Sequence, residues 1–223
     1  MTKHYDVTAL GEVLIDFTEN GSSAQGNPMY EANPGGAPCN VLAMLQKFGH
    51  KTAFLGKVGE DIFGRRLEIV LKEAGIDTAG LCMDPTVRTT LAFVEKKADG
   101  DRDFSFYRNP GADMMLRTEE QQEQILKDTR IFHFGTLSMT DEPVRSATRH
   151  AIETAKANGA LLSFDPNIRE PLWQSMEEAK RQTAYGMEVC DVLKISDNEI
   201  RWFTGEEDFD RGVDKLWREY HIP

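Results

Sequence analysis

Two adjacent glycines stand before a helix-like segment in Gly35-Gly36-Ala37-Pro38-Cys39-Asn40. Paired glycines allow a ligand to approach the backbone closely, and a helix N-terminus offers unpaired N–H groups. The side chain of Asn40 both donates and accepts hydrogen bonds, which suits recognition of a polyhydroxyl ligand. An ordinary glycine turn before a helix explains the pattern equally well. A dinucleotide-binding loop is disfavoured, because the spacing is not G-x-G-x-x-G.

A carboxylate ends a second motif, Gly11-Glu12-Val13-Leu14-Ile15-Asp16. Asp16 lies near the end of a predicted strand, where ligands commonly bind in α/β proteins. Its carboxylate can accept hydrogen bonds from two hydroxyl groups at once. A solvated aspartate that caps a strand is the simpler alternative, so Asp16 is a candidate ligand-binding residue only in combination with other motifs.

Further polar motifs follow predicted strands. The segment KVGEDIFG at residues 57–64 is typical of a strand-to-helix turn with an acidic N-cap. The segment DPNIREPLW at residues 165–173 follows an apolar strand, and KISDNE at residues 194–199 precedes a helix. Each motif is modest in isolation.

These motifs lie in an alternation of short apolar segments and amphipathic segments. We predict strands at 7–10, 13–17, 52–58, 131–134, 160–164 and 192–195, and helices at 37–48, 62–74, 142–157, 176–187 and from 197. Residues 20–34 are rich in Gly, Ser, Asn and Pro, which predicts a loop. Residues 89–96 and 103–107 predict a hairpin around the turn Ala98-Asp99-Gly100-Asp101. The fold class is therefore α/β, a mainly parallel sheet with helices on both faces and a small β lid.

The composition limits the partners. The chain has 223 residues, with 37 acidic and 26 basic side chains and a formal net charge of -11. This field repels a nucleic acid backbone on average, so no nucleic acid partner is expected. No apolar run reaches membrane-spanning length and no secretory signal precedes the first strand, so we expect a cytoplasmic protein without membrane association. The three cysteines are widely spaced, which favours free thiols over a metal site.

Taken in order and spacing, GEVLID, GGAPCN and KVGEDIFG resemble the ribokinase-like carbohydrate kinase family. The DPN-x-R-x-PLW motif is similar to the fructokinase branch, as is KISDNE followed by Phe203-Thr204-Gly205. The resemblance spans essentially the whole chain. It implies an α/β core at residues 1–12, 35–87 and 113–223, a β lid at residues 13–34 and 88–112, ATP as phosphoryl donor and Mg²⁺ as metal. It also implies a small-molecule sugar substrate and a homodimer formed through the lid.

The resemblance carries over to individual residues. Asp16, Gly35, Gly36 and Asn40 are similar to the sugar-binding set of the family. Phe106, Tyr107 and Arg108 resemble residues of the lid that close over the sugar. Because side chains alternate along a strand, only part of this trio can face the ligand, and Arg108 is the preferred contact.

Five further residues resemble the phosphate and nucleotide side of the family site. Asn167 and Arg169 look like the pair at the junction of sugar and phosphate, where Arg169 would neutralise charge on the transferred phosphoryl group. A surface ion pair is the alternative for Arg169. Lys194 and Ser196 are expected near the nucleotide, and Glu199 is expected to hold a metal-bound water. Ser196 stands where the family's N-x-x-E motif has Asn, as it does in the fructokinase branch.

The family's G-A-G-D segment is not in the sequence. In the family this segment supplies the anion hole and the catalytic base, so we expect residues 1–223 alone to be inactive and the chain to be truncated. Fructose is the expected substrate. Two other kinase substrates, 2-keto-3-deoxygluconate and aminoimidazole riboside, fit much of the same pattern. A non-catalytic sugar-binding or scaffold protein built on the kinase fold is an alternative of another class.

Overall fold

The computed structural model describes residues 3–96 and 102–222. Its main sheet has six strands, all paired in parallel. They are β1 (Tyr5–Leu10), β4 (Thr52–Gly59), β5 (Asp77–Asp84), β8 (Thr129–Gly135), β9 (Leu161–Asp165) and β10 (Val192–Leu193). Their order across the sheet is β10-β9-β8-β1-β4-β5. Because parallel strands require crossover connections, the helices lie between them in sequence and cover the sheet.

Helices pack against both faces of this sheet, as predicted. They are α1 (Ala37–Lys47), α2 (Ile62–Glu73), α3 (Glu123–Lys127), α4 (Val144–Ala157), α5 (Met176–Val189), α6 (Asp197–Thr204) and α7 (Phe209–Tyr220). Leu42 of α1 and Leu67 of α2 are buried in one apolar cluster with Phe54. On the opposite face, Ile152 of α4 packs in a second cluster that contains Phe164. The α/β fold class is thereby confirmed.

A second sheet of four strands, called the small sheet below, stands beside the main one. It consists of β2 (Leu14–Ser22), β3 (Pro28–Gly35), β6 (Leu91–Lys96) and β7 (Arg102–Tyr107) in the order β3-β2-β6-β7. Strands β6 and β7 pair antiparallel, which confirms the predicted hairpin. The predicted turn at residues 98–101 lies outside the described residues.

Two parts of the small and main sheets differ from the sequence prediction. The loop predicted at residues 20–34 is wrong, because β2 continues to Ser22 and β3 begins at Pro28. Backbone pairing of β3 with β2 overrides the turn-rich composition of this segment. The edge strand β5 was not predicted, and it forms by parallel pairing with β4.

Asp61 determines where α2 begins. Its Oδ1 accepts the backbone N–H groups of Phe63 at 3.0 Å and Gly64 at 2.8 Å, so it is the predicted acidic N-cap. It also accepts the backbone N–H of Thr89 at 2.9 Å and the Thr89 hydroxyl at 2.8 Å. One side chain thus joins the start of α2 to the segment that leads into β6.

Candidate functional site

A cavity of about 360 Å³ opens where the carboxyl ends of β1 and β9 meet the small sheet. It brings together seven of the predicted site residues, Asp16, Gly36, Asn40, Phe106, Asn167, Arg169 and Lys194. Glu12, Leu14, Ala37, Phe104, Leu137 and Asp165 complete its lining. The position agrees with the rule that ligands of α/β proteins bind beyond the carboxyl ends of the strands.

One wall of the cavity is a row of residues paired across the small sheet. Asp16 pairs with Asn33 of β3 and with Ala92 of β6, and Ala92 pairs with Phe106 of β7. Paired residues point to the same face of a sheet, so the pairing places the Asp16 carboxylate and the Phe106 ring on the cavity side. Gly35 belongs to the same wall, because a Cβ atom there would collide with the Asp16 carboxylate.

The glycine pair leads from this wall into α1. Gly36 has φ 120°, in the region that favours glycine, and a Cβ atom there would collide with the carbonyl oxygen of Glu12. The next residue, Ala37, donates its N–H to Glu12 Oε1 at 2.8 Å. Asn40 is exposed one turn into α1 and lines the cavity. The segment therefore presents both a tight backbone approach and an amide to a ligand.

The turn after β9 forms the opposite wall. Asn167 has φ 42°, a left-handed conformation that costs a non-glycine residue about 1–3 kcal/mol and often occurs at functional sites. Arg169 donates from Nη1 to the carbonyl oxygen of Ile168 at 3.1 Å, and its guanidinium carbon lies 5.5 Å from the centre of the Phe104 ring. Arg169 thus reaches from the main sheet to the small sheet.

Charges of both signs face the cavity. Burial raises the pKa of Asp16, and the positive charge of Arg169 partly offsets that rise. Burial also raises the pKa of Asp165, although Lys194 Nζ lies 3.1 Å from its Oδ2. The Lys194 side chain is 66% exposed, so its ammonium group is accessible from solvent while it pairs with Asp165.

Ser196 and Glu199 lie outside the cavity lining and hold the start of α6 in a capping box. Glu199 Oε2 accepts from the Ser196 hydroxyl at 2.7 Å and from its N–H at 2.9 Å. Glu199 Oε1 accepts the N–H of Ile168 at 2.8 Å. Oε1 has a second lone pair that could accept a hydrogen bond from a metal-bound water. In the ranges 3–96 and 102–222, no group of three or more His, Cys, Asp or Glu side chains could hold a metal ion directly.

The structure separates the trio at the end of β7. Phe106 lines the cavity, whereas Tyr107 is 64% exposed and packs on Phe93 on the other face, as strand alternation requires. Arg108, the preferred sugar contact, is buried and does not line the cavity. Its guanidinium donates to Asp113 Oδ2 at 2.7 Å, with further bonds to Thr140 Oγ1 and the Leu137 carbonyl. These bonds join the end of β7 to the segment that follows β8, and a direct sugar contact from Arg108 stays a prediction.

Sequence reasoning missed Phe104 and Glu12 as lining residues. Phe104 lies two residues before Phe106 in a predicted strand, so alternation alone could have placed both rings on one face. The two rings stack with centroids 5.9 Å apart. Glu12 stands within a motif quoted for Asp16, but its 4% exposure could not be read from the sequence.

Residues 5–218 match the sequence profile of the pfkB family carbohydrate kinases. The chain belongs to this family. Probable fructokinase-2 of Arabidopsis thaliana is 45% identical over 206 residues, which cover 92% of this chain and 63% of the relative. This pfkB-family chain therefore spans less than two thirds of that relative.

Solved structures of the family superpose closely. Fructokinase with bound ATP from Xylella fastidiosa matches with a TM-score of 0.86 and 34% identity over 96% of this chain and 69% of that one. A double mutant of fructokinase from Vibrio cholerae O395, in fructose, ADP and potassium ion bound form, has a TM-score of 0.86 and 29% identity over 100% of this chain and 69% of that one.

Within the described residues, no helix is both long enough and apolar enough to cross a membrane.

Proposed function

We propose that this chain carries the sugar subsite of an ATP-dependent kinase that transfers the γ-phosphoryl group to a primary hydroxyl of fructose. The observation that carries the proposal is the cavity in which the Asp16 carboxylate and the Arg169 guanidinium interact. The fructokinase names of the related proteins support fructose as the sugar. The small sheet would serve as a lid, formed by residues 13–34 and 88–112, over a core of residues 1–12, 35–87 and 113–223.

Some residues of the cavity would bind the sugar, and Arg169 would bind the transferring phosphoryl group. Asp16 would accept hydrogen bonds from two sugar hydroxyls, while the backbone at Gly35 and Gly36 allows the sugar to approach. Asn40 would bind a further hydroxyl. Arg169 would lie beside the transferring phosphoryl group, where its fixed charge and planar fork stabilise the charge that develops during transfer.

The nucleotide would lie on the far side of Arg169. Asn167 follows β9, whereas Lys194 and Ser196 lie just before α6, and the fructokinase solved with bound ATP supports ATP as the nucleotide. Glu199 would contact Mg²⁺ through a water molecule at Oε1. Mg²⁺ bound with ATP would neutralise negative charge on the phosphates.

The remaining expectations concern assembly and location. Small molecules, rather than nucleic acids or membranes, are the proposed partners. A homodimer through the small sheet is supported by the exposed side chains of Met29, Tyr30 and Tyr107 on that sheet. A cytoplasmic location accords with a sugar kinase that uses ATP.

Calorimetry of the purified chain with fructose, 2-keto-3-deoxygluconate and aminoimidazole riboside tests the substrate. We expect binding of fructose, and Asp16→Asn should weaken it by about 1–2 kcal/mol because charge-assisted bonds become neutral. A coupled ATPase assay tests catalysis. The sequence contains no G-A-G-D segment, so residues 1–223 alone should not turn over. Binding of another sugar in preference to fructose would refute the substrate, and turnover at an ordinary rate would refute the expected role of the missing segment.

A further inference from the structure

Glu12 has a buried carboxyl group in the wall of the cavity. Its side chain is 4% exposed, and it follows β1 directly after Gly11. It lines the same cavity as Asp16, but it lies in the connection between β1 and β2 rather than within either sheet. A carboxylate in such a place must find hydrogen-bond donors or give up its charge.

The protein offers this side chain few donors. Oε1 accepts the N–H of Ala37 at 2.8 Å, which makes Glu12 the acceptor for the first residue of α1. Gly36 at the N-cap has no side chain to do this, and Pro38 has no N–H. The backbone around Glu12 is packed against the same segment, because a Cβ atom on Gly36 would collide with the Glu12 carbonyl oxygen.

The charged and titratable groups around Glu12 do not strongly favour either its ionised or its protonated form. Asp113 and Arg108 act on it in opposite directions, and they are bonded to each other. Cys39 of α1 lies against the Glu12 backbone, and burial keeps its thiol pKa raised, so it brings no charge. Across the cavity stand Asp16 and Arg169, which interact with each other.

We propose that Glu12 is a proton-linked sugar contact, which binds fructose as the ionised carboxylate, with one oxygen on the Ala37 N–H and the other accepting a sugar hydroxyl. This inference rests on the proposed sugar-binding function. On binding, the carboxylic acid releases its proton to the solvent. The resulting carboxylate oxygen then accepts a hydrogen bond from the sugar hydroxyl.

In the free protein, Glu12 is partly protonated at neutral pH. Burial is the largest cause that raises the pKa of Glu12 to about 7, while its own backbone N–H and the Ala37 N–H lower the pKa in part. At pH 7 about half of the molecules are therefore protonated, and binding should release up to about half a proton per fructose. Below pH 6, the dissociation constant for fructose should fall about tenfold for each unit by which the pH rises.

Calorimetric titrations with fructose in buffers of different ionisation enthalpy measure the released protons. We expect release at pH 7 for the wild-type chain and for Glu73→Gln, which changes an exposed glutamate at the end of α2. Glu12→Gln should release no proton from this site, and its fructose affinity should lose most of the pH dependence between pH 5 and 8. The variant separates Glu12 from Asp16, whose pKa is also raised.

Fructose binding without proton release, or equal release by Glu12→Gln and the wild type, would overturn the proposal and leave the sugar site intact. No fructose binding at any pH would instead overturn the proposed function itself. If Glu12→Gln does not fold, ¹³C carboxyl shifts of the labelled wild type carry the test, with Glu12→Asp to assign the resonance. A Glu12 titration that fructose shifts to lower pH supports the proposal, and an unchanged titration refutes it.

Discussion

Glu199 accepts the backbone N–H of Ile168 at 2.8 Å and so ties the first turn of α6 to the segment that carries Asn167 and Arg169. The other carboxylate oxygen is bonded to Ser196, which fixes its orientation. The position of Arg169 beside the cavity therefore depends on a side chain that lines no part of it.

Glu199→Ala should destabilise the chain and loosen the turn after β9. It leaves the N–H of Ile168 without its acceptor and removes half of a capping box, so we expect a loss of about 1–3 kcal/mol. Urea unfolding measures the loss. Asp197→Ala is the matched control, because Asp197 lies in the same turn of α6, is exposed and forms an exposed ion pair with Arg201. Equal unfolding midpoints for the two variants would contradict this role for Glu199.

Arg169→Ala should affect catalysis more than sugar binding. In a longer chain that supplies a G-A-G-D segment, we expect kcat to fall at least tenfold, with a smaller change in the KM for fructose, because the contact strengthens as charge develops. Arg169→Lys should recover only part of the loss, since it restores the charge but not the planar fork. A raised KM with wild-type kcat would make Arg169 a ground-state sugar contact, and unchanged kinetics would make it a surface residue.

The stability of the chain should fall as Glu12 ionises. Its folded pKa of about 7 lies above its ordinary value of 4.5, so the protonated acid is favoured in the folded state. The contribution of Glu12 to the free energy of unfolding is fully present below pH 4.5 and is lost as pH rises through 7. The difference between the folded and ordinary pKa values corresponds to about 3 kcal/mol. Glu12→Gln keeps an acceptor for the Ala37 N–H and removes the titration. We therefore expect unfolding midpoints of the wild type to drop relative to Glu12→Gln between pH 5 and 8, while parallel profiles would show that Glu12 keeps an ordinary pKa.

Asp61→Ala should lower the free energy of unfolding by more than the loss of an ordinary helix cap does. Asp61 accepts four hydrogen bonds, two at the start of α2 and two from Thr89, whereas Ser175 at the start of α5 accepts one, from the N–H of Glu178. A single cap contributes about 1 kcal/mol to stability. We therefore expect the free energy of unfolding to fall by about 1 kcal/mol in Ser175→Ala and by about 2–4 kcal/mol in Asp61→Ala. Thermal unfolding of both variants checks the order, and a larger loss for Ser175→Ala would contradict it.

The sequence predicted those parts of the fold that depend on local patterns. Apolar periodicity located α1 and α2, and the acidic N-cap at Asp61 was visible in the KVGEDIFG motif. Strand β3 was not visible, because its Asn, Pro and Gly residues favour turns in isolation and only pairing with β2 makes it extended. A non-local hydrogen-bond partner has no signal in the composition of the segment itself.

The same distinction applies to the candidate site. Asp16 and Arg169 were predicted from motifs, and the structure places both at the cavity. Arg108 sits in the predicted segment, but its environment depends on Thr140 and Leu137, which lie 32 and 29 residues later in the chain. Residue type and spacing can indicate which side chains are chemically able to bind a ligand. Only the packing decides whether a charge faces the cavity or a buried partner.

The pairing of Asp16 with its neighbours near the start of β2 has a mechanical consequence. Asp16 lies about 7 Å along the strand from Leu14, and Ser22 lies about 26 Å from it. In the small sheet, Asp16 thus lies close to the junction with the main sheet, whereas the end of β2 at Ser22, called the tip below, lies far from it. A rotation about the junction with the main sheet displaces the tip about four times as far as the Asp16 carboxylate. Such a rotation would therefore change the position of the strand ends far more than the position of the Asp16 carboxylate.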